Sequence, residues 1–447
     1  MAGSSRNDTE TLTEDGPPPA EAGVERLWLQ WCHPLPARAP LALEAAKHTL
    51  GRDPSCDAHL PSGHVSRFHA EIRRSGPVFA VFDRDSKNGV LVNGARVTQA
   101  VLKPGDVLRV GDHVAVVVSA TADDPLVVRP VLGALWGGHR HRALAARALE
   151  LAVSPLPLVL QGATGTGKEL LARAIHEASG RRGEFLGVNS ALYSRTTAAA
   201  ELFGVSDGAG QNRARPGHVR AADGGTLFLD EVLELPLDVQ AMWLRVLEQN
   251  AVQPVGESRP LPVDVRVLVA TQQPLAEAVA TGRFRADLRA RLEGAVLELP
   301  RLASCREIVP ELLVELHRRR GAAVPLELSA AAAEGLCLHD WPLNVRELDM
   351  LAGRLAARTS PRRVELAELE LPPAAVTSPR AEEGGGGAPG VAVPGRRPSS
   401  TPYDPAEVQR LREALERHAG NVSRAVAELG ISRQRAYRML PQLKLSS

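Results

Sequence analysis

The sequence predicts a multidomain chain with an all-β region first, an α/β region on a parallel sheet second, and a small all-α region last. Three observations carry this. Short apolar runs between turn signals fill about residues 24–120, apolar strands alternate with helical segments over 131–357, and amphipathic helix patterns return over 403–447. A length of 447 residues agrees, being too long for one ordinary core.

Residues 1–23 are polar and Pro-rich and read as a disordered tail. In the all-β region, Val78–Phe82 and Val90–Val92 read as strands and Asn93-Gly94 as a hairpin turn. Leu108–Val118 reads as a second hairpin turning at Gly111-Asp112. Residues 121–130 carry acids and prolines and read as a linker. In the α/β region, strands such as Leu156–Leu160, Thr226–Leu229 and Val263–Ala270 are mainly apolar, as expected of a parallel sheet covered by helices. Residues 358–402, with the run Gly384–Gly387, read as a flexible linker.

Charge and composition exclude several classes. The 53 basic and 52 acidic residues give a net charge of +1, so any nucleic-acid contact must come from a local patch. Cys32, Cys56, Cys305 and Cys337 show no zinc-site spacing and read as scattered reduced thiols. With an acidic N-terminus and no apolar run near the ~20 residues that cross a bilayer, a cytoplasmic protein without membrane contact is expected.

The most specific chemistry is at Leu158–Glu169, where an apolar strand enters G-x-x-x-x-G-K and a helix follows at Leu170–Glu177. Gly162, Thr164, Gly165, Thr166 and Gly167 let backbone amides curl around phosphates. The helix dipole adds positive potential, and Lys168 reaches the outer phosphates. Glu169 stands where Ser or Thr usually follows. A second strand, Thr226–Leu229, ends in Asp230 and Glu231. Asp230 is expected to hold Mg²⁺ through water, and Glu231 to polarise the attacking water. ATP and Mg²⁺ are the expected cofactors.

These blocks, with Glu201-Leu202-Phe203-Gly204 and Trp341-Pro342-Leu343-Asn344-Val345-Arg346-Glu347-Leu348, resemble bacterial enhancer-binding proteins, the AAA+ activators of sigma-54 RNA polymerase. The resemblance spans about 131–357 and implies an ATPase with a helical lid. Glu169 is normal for that family. Asn189 corresponds to the asparagine that restrains the catalytic glutamate, Arg285 and Arg291 to arginine fingers, and Arg346 to the nucleotide-sensing arginine of the lid. Fingers act on a neighbour's site, so the resemblance implies a homo-oligomeric ring, most often a hexamer. Several positions depart from it: the sensor pair is Thr271-Gln272, Leu343 replaces a glycine, Leu299–Cys305 loses its central charges, and Val219-Arg220 replaces Phe-Glu. The loop at Val205–Ala214 keeps only Gly208-Ala209 of the hexapeptide G-A-F-T-G-A that contacts polymerase, and it is shorter. A regulator, repressor or mixed-ring partner that does not itself activate polymerase is therefore the alternative expectation.

Gly51-Arg52, Ser66-Arg67-Phe68-His69, Asp85-Ser86-Lys87-Asn88-Gly89 and Asn93-Gly94 resemble a forkhead-associated (FHA) domain, a β-sandwich that reads phosphothreonine. The resemblance implies that Arg52 and Ser66 contact the phosphate with Arg67, Lys87 and Asn88 around it, and that His69 buttresses the loops. A dianionic phosphate calls for such an arginine, hydroxyl and lysine set. The implied partner is a phosphothreonine protein or kinase, placing the chain in kinase-linked signalling.

In the last region Val408, Leu411, Leu415 and His418 share one helical face, and Asn421 caps a helix running to Leu429. Gly430 makes the turn, and Ser432 caps a third helix carrying Arg433, Gln434, Arg435, Tyr437 and Arg438. Two short helices before a basic third form a helix-turn-helix, which sets these side chains in a major groove of double-stranded DNA. Gly420–Ala425 also resembles the Fis-type DNA-binding domain.

Overall fold

The computed structural model describes residues 26–121, then 128–357 without 195, 207–214 and 322–323, then 363–371 and scattered residues between 409 and 429. Ser432–Arg438, expected from the sequence to face DNA, lie outside the described residues, as does the loop at 207–214.

The first region is a sandwich of two sheets. Its strands are β1 (Arg26–His33), β2 (Lys47–Gly51), β3 (Ala70–Ser75), β4 (Val78–Asp83), β5 (Val90–Val92), β6 (Gln99–Leu102), β7 (Val107–Val110) and β8 (His113–Ala120). A six-stranded sheet contains β1, β8, β7 and β5 side by side, and a five-stranded sheet contains β2, β3, β4 and β6. Leu29, Trp31, Leu50, Ile72, Val81, Leu108 and Val117 close the core between them. Asn93 and Gly94 turn after β5 with φ of 52° and 78°, the left-handed pair that suits a two-residue hairpin.

The second region is a five-stranded parallel sheet of β9 (Leu158–Gln161), β10 (Phe185–Asn189), β11 (Thr226–Asp230), β12 (Arg266–Thr271) and β13 (Ala295–Glu298). Its order is β10-β11-β12-β9-β13, so the carboxyl ends of β9, β11 and β12 lie side by side. Two strands start later than their apolar runs. Pro157 has no amide to give at the head of β9, and the Val263 amide bonds to the Asn250 carbonyl instead of a sheet neighbour. Helices α1 (His139–Ala152) and α2 (Lys168–Ala178) cover the sheet. A short helix α3 (Ala286–Leu292) carries one candidate finger, Arg291, and starts just after the other, Arg285.

The lid consists of α4 (Val309–Arg319), α5 (Ala330–Leu338) and α6 (Asn344–Ala356), packed around Leu313, Leu336, Trp341, Leu348 and Leu351. Two segments read as linker belong to these folds. Arg129 and Pro130 pair with Gly137 and Trp136 in a small hairpin. Val364 bridges to Leu328, and Val364 and Leu369 are buried in the lid core. Short apolar pieces beside prolines and charges give too weak a periodicity to reveal such packing. No described helix is long and apolar enough to cross a membrane.

Candidate functional sites

At the end of β9 the chain enters the loop Gly162–Gly167. Gly165 and Gly167 adopt φ of 74° and 98°, a region that glycine alone enters without strain. α2 starts at once with no side chain capping it, leaving its first amides directed at the loop. Lys168 folds back over the loop, and its Nζ donates to the carbonyls of Gly162 at 2.8 Å and Ala163 at 3.2 Å. Thr166 Oγ1 donates to the Ala163 carbonyl at 2.9 Å. Burial lowers the Lys168 pKa while Asp230 and Glu231 pull it up. Burial likewise raises the Asp230 carboxyl, with Lys168 opposing. Ammonium and carboxylate thus share a partly dry pocket.

Glu231 sits just past β11 in the left-handed region, with φ of 52°, and its amide donates to Asp230 Oδ1 at 3.0 Å. Its Oε1 accepts a 2.8 Å bond from Gln272 Nε2 at the end of β12. Asn189 lies level with Asp230 on the neighbouring strand, but its side chain accepts from the Ala191 amide at 2.9 Å and caps its own turn. In this structure Gln272, not Asn189, touches the glutamate. Glu169 is exposed and pairs with Arg173 at 3.5 Å.

The lid closes on the same loop. Asn344 is buried with φ of 51°; its Nδ2 donates to the Thr164 carbonyl at 2.9 Å and its Oδ1 accepts from the Leu302 amide at 2.8 Å. The Val345 amide donates to the Gly165 carbonyl at 3.0 Å, and Arg346 reaches Thr164 Oγ1 at 3.4 Å. Leu343, where glycine was expected, has φ of −103°, which any side chain tolerates. Asn344 was not singled out from sequence; an Asn just before a helix motif, a residue tolerant of the left-handed region, was the available signal.

Arg285 pairs with Asp287 at 2.7 Å and Arg291 with Glu248 at 3.4 Å, both on the surface around α3. The loop that departs from the polymerase-contacting hexapeptide rises from a two-strand stem in which Gly204-Val205 pairs with Arg215-Pro216.

In the sandwich, Arg52, Ser66, Arg67, Lys87 and Asn88 come together on three loops. The Arg52 amide donates to the Ser66 carbonyl at 2.9 Å, and Asp53 to that of Arg67 at 3.0 Å. Ser66 Oγ accepts from the Lys87 amide at 3.2 Å, and Asn88 Nδ2 donates to the His64 carbonyl at 2.7 Å. Beneath them, fully buried His69 accepts from the Ser66 amide at 3.0 Å through Nδ1, so Nε2 carries the proton donated to the Gly89 carbonyl at 3.1 Å. Arg52, Arg67 and Lys87 are exposed.

Among known proteins, the Sigma-54 interaction domain family matches residues 138–298, the FHA domain family residues 48–111, and the Bacterial regulatory protein, Fis family, residues 404–438. The pathogenicity locus probable regulatory protein WtsA of Pantoea stewartii subsp. stewartii is 36% identical over 69% of this chain and 89% of its own length. The chain belongs to the sigma-54-dependent transcriptional regulators. A second such regulator, the pathogenicity locus probable regulatory protein HrpR of Pseudomonas syringae pv. syringae, is 34% identical, with 74% of this chain and 97% of that protein covered. The acetoin catabolism regulatory protein of Cupriavidus necator is 37% identical over 73% of this chain, which spans 49% of that longer regulator. The structure of NtrX from Brucella abortus in complex with ATP has 30% identity and a TM-score of 0.50, over 71% of this chain and 70% of that one.

Proposed function

We propose that this sigma-54-dependent regulator is an ATPase, bound to double-stranded DNA through Ser432, Arg433, Gln434, Arg435, Tyr437 and Arg438 and controlled by phosphothreonine recognition through its FHA domain. One observation carries the nucleotide reading: Asn344, Val345 and Arg346 of the lid close on Thr164 and Gly165 beside Lys168, Asp230 and Glu231. The residues fit ATP. Glycines in the left-handed region, uncapped helix amides and a partly buried lysine held by carbonyls form a cradle for an anion. ATP brings the phosphoryl group to be transferred, and Mg²⁺ neutralises its charge.

In this reading the loop amides and Lys168 would orient the phosphates, Asp230 would hold Mg²⁺ through water, and Glu231 would accept a proton from the attacking water. Gln272 and Asn189 flank Glu231 and Asp230, and Arg346 links nucleotide to lid. Arg285 and Arg291 reach a neighbouring subunit's site in a ring, exchanging Asp287 and Glu248 for phosphate oxygens. In the FHA domain, Arg52, Arg67, Lys87 and the Ser66 hydroxyl bind a phosphothreonine protein or kinase. The NtrX complex with ATP supports the nucleotide part.

A second reading concerns output. The loop between Val205 and Arg215 lacks the Phe and Thr of G-A-F-T-G-A, and glycine there cannot supply the aromatic area that anchors an interface. This favours a regulator or mixed-ring partner that does not activate sigma-54 polymerase alone. ATP hydrolysis by the purified protein with Mg²⁺, abolished in Lys168→Ala, tests the ATPase; no turnover at high protein concentration overturns it. Transcription with sigma-54 holoenzyme and enhancer DNA tests the output. ATP-dependent open complexes from the wild type alone refute the second reading, and rescue by a grafted full-length loop supports it.

A further inference from the structure

Strand β8 is apolar from Val114 through Val118. A sandwich strand with one wet face alternates apolar and polar residues. β8 does not, so both of its faces need cover. Ala115 and Val117 fill the sandwich core with Leu29 and Trp31. Val114, Val116 and Val118 point the other way and cluster with Cys32, Val107, Ala330, Ala333 and Cys337.

The last three belong to α5, in the lid. Its sequence, Ala330–Leu338, has one charge, Glu334, and no polar stripe. Such a helix must be covered on all sides. Ala332 and Leu336 face the lid core, and Ala330, Ala333 and Cys337 face the sandwich. Glu334 is buried at 6% exposure, and its Oε2 accepts from Arg109 of β7 at 2.9 Å. Cys32 and Cys337 bring their sulfurs to 3.7 Å, and Arg306 donates to the Gly105 carbonyl at 3.4 Å.

Both ends of this contact lead to a site. On the lid side, Trp341 Nε1 donates to the Leu336 carbonyl at 3.0 Å and the Asn344 amide to the Trp341 carbonyl at 2.8 Å, and Asn344 grips Thr164. On the sandwich side, Arg109 pairs across the ladder with Leu91 of β5, which begins just after Asn88-Gly89. We propose that the FHA domain is docked on the lid as one rigid body with it, so that the phosphopeptide loops and the groups gripping the nucleotide loop move together. The coupling half of this rests on the nucleotide reading above; the docking half does not.

The native cysteines of the full-length protein supply the test. Cys32 and Cys337 lie in the interface, whereas Cys56 is buried in the loop after β2, where its Sγ meets the Arg67 carbonyl, and Cys305 is buried in the lid core. Docking predicts that all four resist a bulky maleimide under native conditions, read by peptide mass spectrometry. Arg109→Glu, which sets two acids face to face, should speed labelling of Cys32 and Cys337 at least ~10-fold and leave Cys56 and Cys305 protected. Adding Glu334→Arg should restore protection. Rapid labelling of Cys32 and Cys337 in the wild type, with Cys56 and Cys305 protected, overturns the docking, as does unchanged protection in Arg109→Glu. Should that variant label all four and so prove unfolded, Arg109→Gln replaces it with the same two readings. For the coupling, Arg109→Glu should weaken a fluorescent ADP analogue several-fold although Arg109 touches no residue of the nucleotide loop. Unchanged affinity with an opened interface overturns the coupling. Absence of binding in the wild type would instead fail the nucleotide reading.

Discussion

A methyl group added at Gly165 would lie 2.1 Å from the Leu343 carbonyl oxygen, on a backbone already at φ of 74°. The clash is with backbone, so the lid must retreat or the loop must distort. Gly165→Ala should therefore weaken nucleotide binding at least ~10-fold, an overpacking effect on the scale of ~1–3 kcal/mol. Fluorescent nucleotide titration measures it, and unchanged affinity would mean that the lid does not rest on the loop in solution. Glu231 makes a different prediction. Glu231→Gln keeps shape and loses the base, so nucleotide should still bind while turnover falls by a factor on the order of 10²–10⁴. Equal loss of binding and turnover would assign Glu231 to binding alone. That Lys168, Asp230 and Glu231 come together was legible in the sequence, because each follows an apolar strand in a short and specific pattern. Gln272 was legible only as a departure, since its bond to Glu231 joins residues 41 apart that follow two different strands.

At the scale of elements, the strands and helices that carry motifs were readable, and those that only complete a core were not. The turns at Asn93-Gly94 and Gly111-Asp112 follow from residues that accept positive φ, and the structure has both. The segment 363–371 gave no such signal, since it is a single 3-10 turn, Leu366–Leu369, too short for any periodicity. Its contribution is nonetheless apolar burial, because Leu369 is fully buried among Leu313, Leu348 and Leu355 in the lid core. Leu369→Ala should cost about 2–4 kcal/mol, as large-to-small changes at buried leucines do. Urea unfolding of the full-length protein checks this, and a loss under ~0.5 kcal/mol would return the segment to the status of a linker.

Across the whole molecule, the order of the folded regions was legible because each announces itself by its own motif. Their mutual placement was not, because it depends on the outer face of β8 matching one face of α5, a fit that no local pattern encodes. The same close packing governs the response to acid. His33, His48, His69, His113, His141, His176, His218 and His317 are all held below the ordinary imidazole range, with burial the leading cause in each, and His33 and His141 are lowered to about 4. Unfolded, each takes up its proton near pH ~6.5. Between that pH and the folded values the unfolded chain binds more protons, so stability falls as pH drops through this window. Glu307 opposes the trend. Burial raises its carboxyl from 4.5 to about 7, so the folded chain keeps a proton that the unfolded chain has released, and acidification favours folding through this group. Asp230, Glu311 and Glu334 are raised as well, again by burial first. The imidazoles outnumber these carboxyls, and each proton taken up contributes at most ~1.4 kcal/mol per pH unit. The apparent midpoint of thermal unfolding should therefore fall between pH 7 and pH 5. His141→Gln, which removes one of the deepest imidazoles, should shallow that fall, and Glu307→Gln, which removes an opposing group, should steepen it. A midpoint that holds or rises toward pH 5 in the wild type, or an unchanged fall in His141→Gln, would show that these side chains are solvated in solution.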